Sequence, residues 1–294
     1  MIKEAIKKLV AGNDLTFDEA AQVMDEMFSG TATQSQMAAY LTALRIKGET
    51  PAAFIIAAAG IPVAKHGNRS MSSKSGSADC LEQLGININI TPEKSEEVLN
   101  KAGICFMFAQ GYHSSMKYVG PVRKEIGIRN IFNVLGPLTN PAGADLQVTG
   151  VYSEALVEPI AQVFSNLGVK KGYVFYGMDG MDEVTLTTTT KVCEIDNGKF
   201  NTFILNPEDY GLKLCAPEDL AGGDGKESAE ITKEILSGEI KDAKRDIVVL
   251  NAALGLCTGG QADSIQDGIK LANEIIDSGK AYAKIEEFAK ASNE

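Results

Sequence analysis

The chain has no stretch long and apolar enough to span a bilayer; its longest apolar run is short and rich in Ala and Gly. No membrane partner is expected. It also lacks paired cysteines. Cys80, Cys105, Cys193, Cys215 and Cys257 are odd in number, and none stands at C-x-x-C spacing. That argues against a disulfide framework or a zinc site and for thiols kept reduced in the cytoplasm. Positive charge is in the minority: 28 Lys and Arg face 39 Asp and Glu, a net charge of −11. A dispersed acidic surface disfavours nucleic acid as a partner and requires any anionic substrate to find a local basic pocket. There is no internal repeat and no low-complexity linker, and the opening Met1-Ile2-Lys3-Glu4 does not have the form of a signal peptide. Histidine occurs only at His66 and His113, and a lone imidazole is more often a packed, hydrogen-bonded residue than a catalyst.

The 294 residues, 44% hydrophobic and 23% charged, suffice for a sizeable core in one large or two unequal domains. Residues 1 to about 50 read as three helices. Ile2, Ile6, Leu9 and Val10 share a helical face; Thr16-Phe17-Asp18-Glu19 has capping-box form; Thr33 and Gln36 can cap a third helix. Beyond Pro51 the pattern alternates. Helices are expected over Ala52–Ala59, Ala78–Leu84, Glu93–Ala102 and Leu156–Leu167. Strands are expected over Ile61–Ala64, Ile104–Ala109, Leu146–Tyr152 and Tyr173–Tyr176. A hairpin is expected about Asp196-Asn197-Gly198, and the last 70 residues read as mainly helical. The expected class is α/β: a small helical domain over 1–50, with further helical contributions from beyond residue 80, and a large domain over 51–294 built on a central, mostly parallel sheet flanked by helices.

One segment is denser in polar groups than any loop needs to be. Ala64-Lys65-His66-Gly67-Asn68-Arg69-Ser70-Met71-Ser72-Ser73-Lys74-Ser75-Gly76-Ser77-Ala78-Asp79 gathers three cations, an imidazole, an amide and five hydroxyls around two glycines. Such a set suits an anionic, oxygen-rich ligand. Farther on, Asp182 and Glu183 follow a Gly-rich turn after an apolar strand. They are hard oxygen ligands suited to Mg²⁺, although acidic turns of this kind more often only face solvent. Arg123 can grip a carboxylate in bidentate fashion or pair with Glu125 on a surface helix. Asn68 can bind an amine or ribose hydroxyl, or close an Asx-turn beside Gly67. Gly222-Gly223-Asp224-Gly225 does not follow a strand and reads as a loop and helix start, not a phosphate loop.

The polar segment resembles the signature of the anthranilate phosphoribosyltransferases. So do Gly127-Ile128-Arg129-Asn130-Ile131-Phe132-Asn133-Val134-Leu135-Gly136-Pro137-Leu138-Thr139-Asn140-Pro141 and Gly177-Met178-Asp179-Gly180-Met181-Asp182-Glu183, in the same order along the chain. The resemblance implies transfer of a phosphoribosyl group from phosphoribosyl pyrophosphate (PRPP) to anthranilate, in tryptophan biosynthesis, by a cytoplasmic homodimer. It implies PRPP binding by Lys65, His66, Gly67, Asn68, Arg69, Ser70, Met71, Ser72, Ser73 and Ser77. Anthranilate falls to Asn68, Arg123 and His113, and Mg²⁺ to Asp182 and Glu183; Arg129 is assigned mainly to structure. His66 and His113 become pocket walls, and Ser114 stands where the family usually has proline. Two rivals are a nucleoside phosphorylase of the same fold and a non-catalytic nucleic-acid-binding relative. In the family, a strand, a Gly-Thr-Gly-Gly-Asp loop and an Asn-Ile-Ser/Thr segment stand between the helical start and the apolar helix. Here Lys47-Gly48-Glu49-Thr50-Pro51 runs directly into Ala52-Ala53-Phe54.

Overall fold

A computed structural model describes residues 51–69, 76–112 and 140–294, together with Gln22 and Leu138. The three helices expected over 1–50 lie outside the described residues. So do Ser70, Met71, Ser72, Ser73, His113, Arg123 and Arg129.

Helix α1 (Ala52–Ala58) leads into strand β1 (Val63–Gly67), helices α2 (Ser77–Gln83) and α3 (Pro92–Ala102), strand β2 (Ile104–Phe108) and the short α4 (Ala109–Tyr112). Strand β3 (Leu146–Gly150), helix α5 (Val157–Asn166) and strands β4 (Lys171–Gly177), β5 (Thr190–Asp196) and β6 (Lys199–Leu205) follow. Helices α6 (Gly225–Leu236), α7 (Ala243–Thr258), α8 (Ile265–Asp277) and α9 (Lys280–Asn293) complete the chain. Local chemistry sets many of these limits. Thr91 accepts a hydrogen bond from the Lys94 N–H ahead of Pro92. Asp224 and Glu227 form a capping box at α6, so the Gly222–Gly225 stretch is a helix start as its sequence implies. Asn197 (φ 49°) and Gly198 (φ 80°) take the left-handed conformations that a two-residue hairpin requires.

The sheet differs from expectation. Among the described residues there are two sheets, not one: a parallel pair β1–β2, and a four-stranded sheet in the order β3-β4-β5-β6. Only the β3–β4 pairing of the latter is parallel; the other two are antiparallel. β1 also runs farther than expected. It continues through Lys65, His66 and Gly67, pairing them with Phe106, Met107 and Phe108 of the wholly buried β2. The polar cluster thus begins on a strand rather than after one.

Helices cover both faces of the larger sheet. Tyr173 and Phe175 of β4 face a core shared with Phe54, Phe106, Leu250 and Phe288. Val174, between them, faces a second cluster with Val157, Ile160 and Phe164 of α5. This alternation is what a strand buried on both faces shows. Phe54 and Ile55 of α1 are fully buried, and the Phe54 ring meets that of Phe288 on α9 at 6.4 Å.

Candidate active site

The described candidate residues form two groups. The first lies at the carboxyl end of β1. Lys65, His66 and Gly67 are its last three residues, half-buried. Gly67 has no room for a side chain, since a Cβ would stand 2.8 Å from the Phe106 ring. Asn68 Oδ1 accepts a hydrogen bond from the Arg69 N–H at 2.8 Å. Its backbone carbonyl meets the N–H of Ala78 at 3.5 Å, which brings Ser77, the first residue of α2, up against this end of the strand. Arg69 is committed elsewhere. It donates to Glu82 Oε1 at 2.8 Å and Asp79 Oδ1 at 3.1 Å, and lies 5.6 Å from the centre of the Phe108 ring. These carboxylates, Glu82 foremost, hold the guanidinium protonated beyond its ordinary range. Arg69 therefore acts as a strut tying the end of β1 to α2.

On the edge of β1, peptide groups alternate in direction. The Val63 N–H points to β2, donating to Gly103 O at 2.9 Å, so the Ala64 carbonyl points away from β2. It accepts from the side-chain amide of Asn140 at 2.9 Å. Asn140 belongs to the long central motif of the sequence and stands just ahead of β3.

The second group is the acidic turn after β4. Asp182 and Glu183 are adjacent and half-buried. Asp179 builds the turn that carries them. Its Oδ1 accepts from the Met181 N–H at 3.0 Å, and its Oδ2 from the hydroxyls of Thr185, at 2.6 Å, and Thr187. Gly177 N–H closes the turn on Met181 O at 2.8 Å. The turn is pressed onto the end of β3: a Cβ on Gly150 would stand 1.7 Å from the Asp182 carbonyl oxygen. Gly150→Ala is therefore expected to displace the acidic turn and to destabilise the fold by about 1–3 kcal/mol, as overpacking does. Denaturant unfolding of the variant checks the magnitude.

The donor set fits a magnesium ion shared with a ligand. Among the described residues no group of three or more His, Cys, Asp or Glu could hold a metal by itself. Two neighbouring carboxylates are what Mg²⁺ takes from a protein when phosphate oxygens and waters supply the rest. Also beside β1 is a recess of about 10 Å³, room for about one water molecule, lined by Phe54, Lys65, Leu81, Phe106 and Phe288 among others. It is smaller than the roughly 300 Å³ at which ligand pockets begin.

A model of the glycosyl transferase family, a/b domain, matches residues 44–282, and one of the glycosyl transferase family, helical bundle domain, matches residues 3–59. The anthranilate phosphoribosyltransferase of Methanobrevibacter smithii is 48% identical, with all of both chains covered. The chain belongs to the anthranilate phosphoribosyltransferase family. That of Ruminiclostridium cellulolyticum is 47% identical over all of this chain and 98% of its own. The crystal structure of the Thermus thermophilus enzyme superposes with a TM-score of 0.86 at 35% identity, covering 99% of each chain. The Saccharomyces cerevisiae enzyme in complex with PRPP and Mg shares the fold, with a TM-score of 0.84 at 23% identity.

Two features of these matches set this anthranilate phosphoribosyltransferase family member apart. The alignment with the M. smithii relative extends over 335 positions against 294 residues here, a difference of 41 filled by the relative alone. The helical bundle and a/b matches also overlap, both claiming residues 44–59. Asn140 and Asp179 are not among the site residues expected from the sequence, although both lie inside the quoted motifs.

Proposed function

We propose that this chain transfers the phosphoribosyl group of PRPP to the amine of anthranilate, releasing pyrophosphate. The observation that carries this reading is the end-to-end match, at 48% identity, to a relative of that name. The acceptor nitrogen is electron-poor and a weak nucleophile, so bond breaking at the anomeric carbon runs ahead of bond making. The site then works by positioning the two substrates and stabilising the departing pyrophosphate. Lys65 balances phosphate charge. His66, Gly67, Asn68, Ser77 and, from outside the described residues, Ser70, Met71, Ser72 and Ser73 line the PRPP site. Arg69 contributes through its strut. Asn68, His113 and Arg123 receive anthranilate, with Arg123 on the carboxylate. Asp182 and Glu183 hold Mg²⁺, which when bound neutralises charge developing on pyrophosphate.

Assay of pyrophosphate release with PRPP, anthranilate and Mg²⁺ tests the reading. Phosphate-dependent cleavage of a nucleoside, with no turnover of PRPP, replaces it with the phosphorylase alternative. Arg123→Ala is expected to weaken anthranilate binding by about 1.5–3 kcal/mol, the worth of a charge-assisted bidentate contact, and to leave PRPP binding nearly unchanged. Titration calorimetry with each ligand separates the two; equal losses argue for general destabilisation.

Three further parts belong to this proposal. We place the unmatched positions beside Pro51, where Lys47–Pro51 runs into Ala52, within the stretch that both domain matches claim. The boundary between a helical domain over 1–50 and an α/β domain over 51–294 is drawn there, supported by the burial of Phe54 and Ile55 in the α/β core. The helical domain carries a homodimer contact, and the protein works in the cytoplasm. Among the described residues, no helix is long and apolar enough to cross a membrane.

A further inference from the structure

We propose that Asn251 is a positioning residue for the acidic pair. It lies on α7, far along the chain from the motifs, in the apolar run Leu250-Asn251-Ala252-Ala253-Leu254. The residue is 9% exposed, and both polar atoms of its side chain are hydrogen-bonded. Oδ1 accepts from the Val184 N–H at 3.0 Å. Nδ2 donates to the Val184 carbonyl at 2.8 Å and to the Ile247 carbonyl, one helical turn back, at 2.9 Å. One carboxamide thus holds both backbone groups of the residue that follows Glu183, and Val184 itself is fully buried.

The acidic turn needs such a hold. Residues 178–189 form neither helix nor strand, so no ladder fixes where Asp182 and Glu183 stand. Asp179 and its threonine hydroxyls set the shape of the turn, and the close approach to Gly150 sets its floor. Asn251 ties its far end to the longest described helix, which packs on β3 and β4. Carboxylates that share a cation with a substrate must be placed to a fraction of an ångström, and groups behind the ligands typically set metal affinity. An amide suits position 251 because two separate atoms, Nδ2 and Oδ1, reach the carbonyl and the N–H of the same residue while Nδ2 keeps a second proton for Ile247; the single oxygen of a hydroxyl has one proton to donate.

This proposal rests on the assignment of Asp182 and Glu183 to the cation, and the test separates the two. Mn²⁺ affinity is measured by electron paramagnetic resonance, with inorganic pyrophosphate present, for the full chain and three variants. Asn251→Ser is expected to weaken Mn²⁺ binding about tenfold or more. Leu250→Ala, a buried neighbour in the same core cluster as Val184 that lowers stability but leaves the Asn251 carboxamide and its hydrogen bonds in place, is expected to leave it within about twofold. Asp182→Asn with Glu183→Gln is expected to abolish it, and adding Asn251→Ser to that pair is expected to change nothing further. If the carboxylate variant binds Mn²⁺ normally, the cation assignment fails. If only the carboxylate variant loses binding, or if Leu250→Ala loses as much as Asn251→Ser, Asn251 has no positioning role. Nuclear magnetic resonance of the unaltered protein covers a variant that does not fold. Mg²⁺ with pyrophosphate is expected to shift both the Val184 amide and the Asn251 side-chain amide, and invariance of both overturns the proposal.

Discussion

Insertion of the unmatched stretch of the M. smithii relative between Pro51 and Ala52 is expected to raise PRPP-dependent turnover by roughly 10²–10³-fold. The physical ground is the cost of holding pyrophosphate. A leaving group that gathers negative charge needs preorganised donors aimed at it, and removing even one such donor typically costs about that factor. The resemblance places a strand and a glycine-rich loop in this interval. The described residues form two sheets in place of one, and the Ala64 carbonyl on the outer edge of β1 is met by a side-chain amide, not by another strand. What remains, Lys65, Asn68, Asp182 and Glu183 with the serines between, suits an isolated phosphate better than an enclosed PRPP. The uninserted chain is therefore expected to bind sulfate or phosphate weakly and to turn over slowly. Equal turnover with and without the inserted stretch shows that it contributes nothing to the chemistry.

Asp182→Asn combined with Glu183→Gln is expected to weaken Mg²⁺-dependent PRPP binding by several kcal/mol, on the order of 10²-fold or more. The substitutions keep the shape of both side chains and remove both charges. The turn itself is built by Asp179, Thr185 and Thr187, which are untouched, so the unfolding midpoint is expected to move little. Isothermal titration of PRPP with and without Mg²⁺ reads the effect. A double variant with unchanged Mg²⁺ dependence removes the pair from the metal role.

The elements that can be read in the sequence are those whose ends are chemically marked. Thr91-Pro92 starts a helix and Asn197-Gly198 turns a hairpin wherever they stand, because the signal is local. β1 is harder. Lys65, His66 and Gly67 have the composition of a loop, and they are extended because β2 offers them a buried parallel partner some forty residues on. A pairing that distant leaves no trace in local composition. The division of the sheet is invisible for the same reason, since the sequence reveals strands but not which strand lies beside which. The candidate site is read from the two segments where motifs run unbroken, Lys65–Ser77 and Gly177–Glu183. Arg69 has the look of a phosphate ligand because its partners, Asp79 and Glu82, arrive on a separate helix. Asn251 does leave a signal: an amide inside an apolar helical run must find partners when buried.

The contact between Gly150 and Asp182 ties the chemistry of this protein to its lifetime. With the Asp182 carbonyl filling the place of a side chain on β3, the acidic turn and the end of that strand pack as one unit. Whatever occupies the acidic turn therefore holds the folded state by mass action, adding about 2.7 kcal/mol when its free concentration is a hundred times its dissociation constant. If Asp182 and Glu183 hold a cation as proposed, then in a cell that degrades unfolded chains the supply of cation and pyrophosphate bears on how many copies persist as well as on how fast each one works.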